Sequence, residues 1–110
     1  MASPLLVNDI AAEVEVPANG IISRTLHNDD TLKVVLFGFD AGQELSEHTA
    51  SVPAMIHVLS GSGTVTIGDT VTEAEQGFWA WMPAHMPHAI VAREKTVMLL
   101  YMVKGRPSGS

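Results

Sequence analysis

The sequence predicts an all-β domain, a jelly-roll-like antiparallel barrel of short strands. Apolar segments recur along the chain with glycine- and proline-bearing breaks between them, the pattern of sandwiches and barrels. No segment carries the 3.6-residue apolar period of a long amphipathic helix. Hydrophobic residues make up 46% of the 110 residues and charged residues 16%. That is enough apolar material for one core and too little charge for a disordered chain.

The elements follow in order. The first twenty residues hold one candidate, an edge strand around Ala12 to Val16. Val34 to Phe39 is apolar on both faces and stops at Asp40-Ala41-Gly42. Met55 to Leu59 stops at Ser60-Gly61-Ser62-Gly63. Thr64 to Ile67 alternates, turns at Gly68-Asp69 and alternates again over Thr70-Val71-Thr72, which reads as a hairpin with a two-residue turn. Phe78 to Met82 follows the turn at Gln76-Gly77, and Val97 to Val103 is the last apolar strand. One domain is expected over residues 1–104, its barrel over about 34–103, with residues 105–110 as a mobile tail. Strands apolar on both faces need cover on both. One face fills the barrel; the other requires a second sheet or a second subunit, so a homodimer is expected.

Composition excludes several functions. Without cysteine there is no disulfide framework, no thiolate zinc site and no cysteine nucleophile. Six Lys+Arg against twelve Asp+Glu give a net charge of −6, which is the wrong footprint for a nucleic-acid partner. Met1 to Leu6 has no basic n-region and no long apolar run, so no signal peptide is expected. The longest apolar stretch, Val97 to Val103, is too short to span a bilayer. Cytoplasmic localisation and no membrane partner are the expectations.

The chemistry rests with the histidines: His27, His48, His57, His85 and His88. Gly42 is followed after five residues by His48, with Gly61 thirteen positions further on. Gly77 is followed after five residues by Pro83, with His88 five positions beyond. These two spaced motifs, in this order and separated by a hairpin, resemble those of the cupins, in particular the small single-domain bacterial cupins of the conserved-barrel type. The resemblance runs from about Val34 to Val103 and implies the cupin double-stranded β-helix. It also implies a divalent transition metal (manganese, iron, nickel, copper or zinc) held by two histidines and a glutamate of the first motif and a histidine of the second. His48 and His88 match two of those positions. Ala50 stands where the second histidine would be and Ala54 where the glutamate would be.

Strand alternation then sorts the remaining candidates. With His48 inward, Ala50, Ala54, Ile56 and Val58 share its parity and His57 has the opposite one. A register shift at Pro53 would bring His57 to the cavity as a third metal ligand. His85, in the Pro83-to-Pro87 loop, is expected at the barrel's edge, and His27, beside Asn28-Asp29-Asp30, in a solvated turn. Ala50 and Ala54 open space, and Ile56, Leu100 and Met102 supply an apolar wall, so a small, mostly apolar ligand is the expected partner. Two readings stand. One is a barrel binding a metal ion, a small molecule or both through His48 and His88, with oxygenase, lyase or isomerase chemistry open to it. The other is a metal-free binding or sensing domain without catalysis. Each histidine also has a plain structural reading, as a core residue satisfied by backbone or water.

Overall fold

The computed structural model describes residues 3–105; apart from Gly105, the expected tail lies outside the described residues. Among the described residues nine strands carry the fold: β1 (Ile21–Asn28), β2 (Leu32–Phe39), β3 (Glu44–His48), β4 (Ala54–Ser60), β5 (Ser62–Ile67), β6 (Thr70–Glu75), β7 (Trp79–Met82), β8 (His88–Ala92) and β9 (Thr96–Val103). They form a five-stranded sheet in the order β1-β2-β9-β4-β7 and a four-stranded sheet in the order β3-β8-β5-β6. Every pairing is antiparallel. The fold is a jelly-roll barrel, and among the described residues no helix is long and apolar enough to cross a membrane.

Period-two burial explains why the sheets face each other. Along β4, Ala54, Ile56 and Val58 are buried while Met55 and His57 are less so. Along β9, Met98 and Leu100 point to the same interior. With Phe39, Val65, Met82 and Ile90 they make the core between the sheets. Removing such side chains from water contributes about 1.5–3 kcal/mol each. The expected hairpin is the β5–β6 pair, closed by Ile67 opposite Thr70 across Gly68-Asp69.

The N-terminal part differs from the expectation. Ala12 to Val16 is not an edge strand: Ile10–Glu13 is a short 3₁₀ turn, and the residues after it are extended but unpaired. Ile10, Ala11, Val14 and Val16 instead lie against Val34, Leu36, Val97 and Leu99, on the outer face of the large sheet. The apolar alternation there reflects burial against a face, not membership in a ladder. The first strand is β1, whose exposed, polar sequence and bulge between Thr25 and His27 hide its pairing with β2.

The chain passes from one sheet to the other at Gly61, between β4 and β5. Its φ is +88°, and a Cβ there would lie 2.3 Å from the Lys95 carbonyl oxygen and 2.5 Å from Thr96 Oγ1. Thr96, fully buried, accepts from the Ser62 amide at 3.2 Å and can donate to the Glu94 carbonyl at 2.8 Å. Gly77 also has positive φ, +94°, but a Cβ there would meet nothing within 4 Å. Gly61→Ala is therefore expected to cost at least ~2 kcal/mol in urea denaturation, from strain and collision together, and Gly77→Ala only ~1 kcal/mol.

Candidate functional site

His48 ends β3 and His88 begins β8, and the two are directly opposite in the ladder. A bulge puts them there. Leu45 pairs with Ile90, but three residues further on His48 pairs with His88, only two residues from Ile90. Leu45 packs against the core, so unbroken alternation would turn Glu47 inward and His48 out. The extra residue reverses the parity and brings His48 to the interior.

Each imidazole is held the same way. His48 Nδ1 lies 2.8 Å from the Ser46 carbonyl oxygen, and His88 Nδ1 lies 2.9 Å from that of Met86. A carbonyl only accepts, so Nδ1 carries the proton in both rings, and in a neutral imidazole so held Nε2 keeps the lone pair. Neither Nε2 has a protein partner among the described residues. The ring centroids are 4.1 Å apart with planes at 61°. Burial pushes the His88 imidazole below the usual histidine pKa; the Met86 hydrogen bond opposes this, and the neighbouring His48 adds to it. His88 is therefore held neutral near pH 7.

The rings line a cavity of about 350 Å³. Leu100, Met102 and Ala54 come from the large sheet, and Thr49, Ala50, Ser51 and Val52 from the loop after β3. That loop is tied across the mouth to the loop before His88 by the His85 amide, which donates to the Ala50 carbonyl at 2.7 Å. His85 takes a φ of +68° to do so, and its ring is exposed. Its backbone shapes the mouth, while its ring stays outside. His27 bonds Asp29 at 2.7 Å in the β1–β2 turn, away from the site.

Of the other candidates, Ala50, Ala54, Leu100 and Met102 line the cavity; Ile56 does not. Ile56 sits deeper, 2% exposed in the core between the sheets. His57 is not brought to the pair. β4 runs in unbroken register from Ala54 opposite Met102 to Val58 opposite Met98, so Pro53 introduces no shift. His57 therefore stays on the outer face, opposite Leu99 and Trp79. Thr49, Ser51 and Val52 were not legible as site residues, because nothing in a short polar loop says which way it folds.

This donor set does not fit a tightly held metal. Two imidazoles line the cavity, Ala50 and Ala54 offer no donor, and the described residues contain no cluster of three or more His, Cys, Asp or Glu suited to a metal ion. Half of a four-ligand set binds weakly and with little selectivity.

A two-sheet jelly-roll barrel with a histidine-lined cavity at one end defines the class. The cupin domain profile matches residues 35–104, well over half of the chain, and the chain belongs to the cupin family. A conserved protein of unknown function from Streptococcus pyogenes is 34% identical over 96% of this chain and 93% of its own, with a TM-score of 0.84. A cupin superfamily protein from Desulfitobacterium hafniense is 25% identical over 87% of this chain and 88% of its own, with a TM-score of 0.82. Salicylate 1,2-dioxygenase from Pseudoaminobacter salicylatoxidans shares the fold alone, at 19% identity over 76% of this chain and 25% of its own, with a TM-score of 0.71. No curated protein matches.

The His88 shift has a consequence for stability. Its folded pKa lies below the usual histidine value of 6.5, so the unfolded chain takes up the proton first as pH falls. The contribution is complete above about pH 6.5 and is lost as pH drops through the folded pKa. Thermal midpoints measured from pH 8 to pH 5 should fall on the acid side, and His88→Gln should flatten that fall.

Proposed function

We propose that the chain is a binding domain for a small, mostly apolar molecule, gripped by Nε2 of His48 and Nε2 of His88. One observation carries this reading: two imidazoles, their Nδ1 atoms pinned by backbone carbonyls and their Nε2 atoms without a partner among the described residues, line a mostly apolar cavity. Lone pairs call for donors. Leaving a buried acceptor unpaired costs about 1–3 kcal/mol, so the favoured ligand carries a hydroxyl or N–H group on an apolar body. Ala54, Leu100 and Met102 would receive that body, and Thr49 and Ser51 lie beside it. No Lys, Arg, Asp or Glu lines the cavity to pair a charged ligand.

Phenol is a suitable probe. Millimolar phenol should shift the imidazole ¹⁵N resonances of His48 and His88, and His48→Phe or His88→Phe should weaken its binding at least ~10-fold. Toluene, of similar shape without the donor, should bind more weakly. No change in either imidazole up to the solubility of phenol would refute the reading.

Ala50 and Ala54 favour binding over a metal-dependent oxygenase, lyase or isomerase, because they remove half of the ligand set such chemistry would use. A divalent ion (manganese, iron, nickel, copper or zinc) would be held by His48, His88 and solvent alone. Ala50→His with Ala54→Glu should therefore tighten zinc binding by roughly 100-fold in calorimetry, as four donors replace two. A folded double variant that binds zinc no better than the parent would show that these four positions do not converge on one ion.

We also propose that the chain acts as a homodimer. The support is the part of the large sheet's outer face over β4 and β7, where Trp79 and Trp81 stand exposed; the double-faced strands β2 and β9 are already covered by the N-terminal segment. Light scattering on the full chain should give twice the chain mass; the monomer mass would refute this.

A further inference from the structure

The cavity wall is of two kinds. His48, Ala54, His88, Leu100 and Met102 stand on hydrogen-bonded strands of the two sheets. Thr49 to Val52 belong to no strand, and they form a strap along the space beside the imidazoles. Thr49 and Ser51 line the cavity and are also exposed, so the strap stands between the cavity and solvent. Among the described residues, two backbone hydrogen bonds fasten it. The Pro53 carbonyl accepts from the Val103 amide at 2.9 Å, which fixes the end that enters β4. The Ala50 carbonyl accepts from the His85 amide at 2.7 Å, which fixes its middle. A wall segment with so few backbone bonds is the part that opens first.

The second bond depends on one turn. Met86 donates its amide to the Pro83 carbonyl at 3.3 Å, which closes a four-residue turn with Ala84 and His85 at its centre. Of those two only His85 has a positive φ, +68°, and that makes the turn type II. Type II and type I turns differ mainly by a half rotation of the central peptide. Here that peptide joins Ala84 to His85, and its N–H is the one that reaches Ala50. Rotated into type I, the same N–H points away from the strap. Type II suits glycine at the third position, and a side chain there strains it. The flanks hold still: Pro83 and Pro87 stiffen both ends, and the Pro87 carbonyl accepts from the Gly68 amide at 2.8 Å. One peptide can therefore rotate without unfolding the loop around it.

We propose that the peptide between Ala84 and His85 is a latch on the binding cavity, and that its flip from type II to type I frees the strap and admits the ligand. His85 is a positioning residue in this scheme: it acts through Ala50 and touches no ligand. The proposal rests on the binding reading above and adds how that site opens. Two opposed preferences set the latch. The hydrogen bond to Ala50 favours type II, while the side chain on His85 favours type I, so the two states lie close in free energy. With glycine at this position the latch would stay shut. With a β-branched residue, which tolerates positive φ least, it would stay open. Ligand exchange then follows the open population, and affinity follows the closed one.

The test compares the parent with His85→Gly and His85→Val, using the full chain in each case. Hydrogen exchange of the residue-85 amide reads the latch without any ligand. Its protection factor should rise about 5-fold in His85→Gly and fall at least ~5-fold in His85→Val. NMR exchange measurements with phenol then read the gate. In His85→Gly the association and dissociation rates of phenol should both fall about 5-fold, with the dissociation constant unchanged. A merely structural contribution of His85 would change the affinity and leave the association rate alone. Protection that does not rise in His85→Gly would refute the latch, and this arm stands even if His85→Val fails to fold. A better protected amide with unchanged phenol exchange would refute the gate. Phenol that does not bind the parent would refute the binding reading and the gate with it, while amide exchange alone decides the latch.

Discussion

Phe39, Ile56, Val58, Met82, Ile90 and Met98 are all 3% exposed or less, and they come from strands of both sheets. Mutual burial of these two faces is the constraint on which the rest of the structure depends. Hydrophobic transfer is roughly proportional to area and has no direction, so it selects two covered faces but not a unique path for the chain. The path comes from the crossing points. At Gly61 the backbone turns so close to Lys95 and Thr96 that no side chain fits, and the buried Thr96 hydroxyl meets the backbone beside it. Once that crossing is made, β4 and β5 belong to different sheets and the barrel must close around them.

The cavity is the place where this packing runs short of volume. Ala54 lies at the start of β4, and Ala50 lies in the loop beyond β3. Neither reaches as far as Ile56 or Val58 does deeper in the barrel. What remains is a space whose polar character comes mainly from two imidazoles. The backbone sets their chemistry: carbonyls two residues earlier in the chain hold each Nδ1 proton, and burial keeps His88 neutral. A pair of fixed acceptors differs from a pair of free histidines, which could each rotate or exchange tautomer to suit a ligand. This preorganisation favours binding, because less freedom is lost when a ligand arrives.

The same burial logic continues outside the barrel. Val34, Leu36, Val97 and Leu99 would be wet on their outer side without the N-terminal segment laid over them. That segment ends its cover before β4 and β7, where two tryptophans stand in water. On the outer face of the four-stranded sheet, Thr64 and the Glu73–Arg93 pair share the surface with exposed Val71 and Val91.

Local pattern sufficed where chemistry is local. The β5–β6 hairpin follows from alternation around Gly68-Asp69, and β2, β4, β7 and β9 follow from apolar runs bounded by turn residues. The two motif histidines and the alanines at the other ligand positions were also legible in the chain alone. Three features were not. β1 is an exposed edge strand, so its residues carry no strong apolar signal, and Ala12 to Val16 is apolar because it packs on a face instead of pairing in a ladder. The inward turn of His48, expected from its motif position, is produced by a bulge opposite β8, and that one extra residue leaves no mark in composition or periodicity. The cover over the cavity, with His85 bonded through its amide to Ala50, depends on two loops meeting across the barrel's mouth. The sequence by itself determined most of the core, because burial preference is a property of each side chain and its period, although Trp79 and Trp81 stand exposed. Only the tertiary structure decided which buried residues face each other and which nitrogen each histidine offers, because register and hydrogen-bond partners are settled between strands.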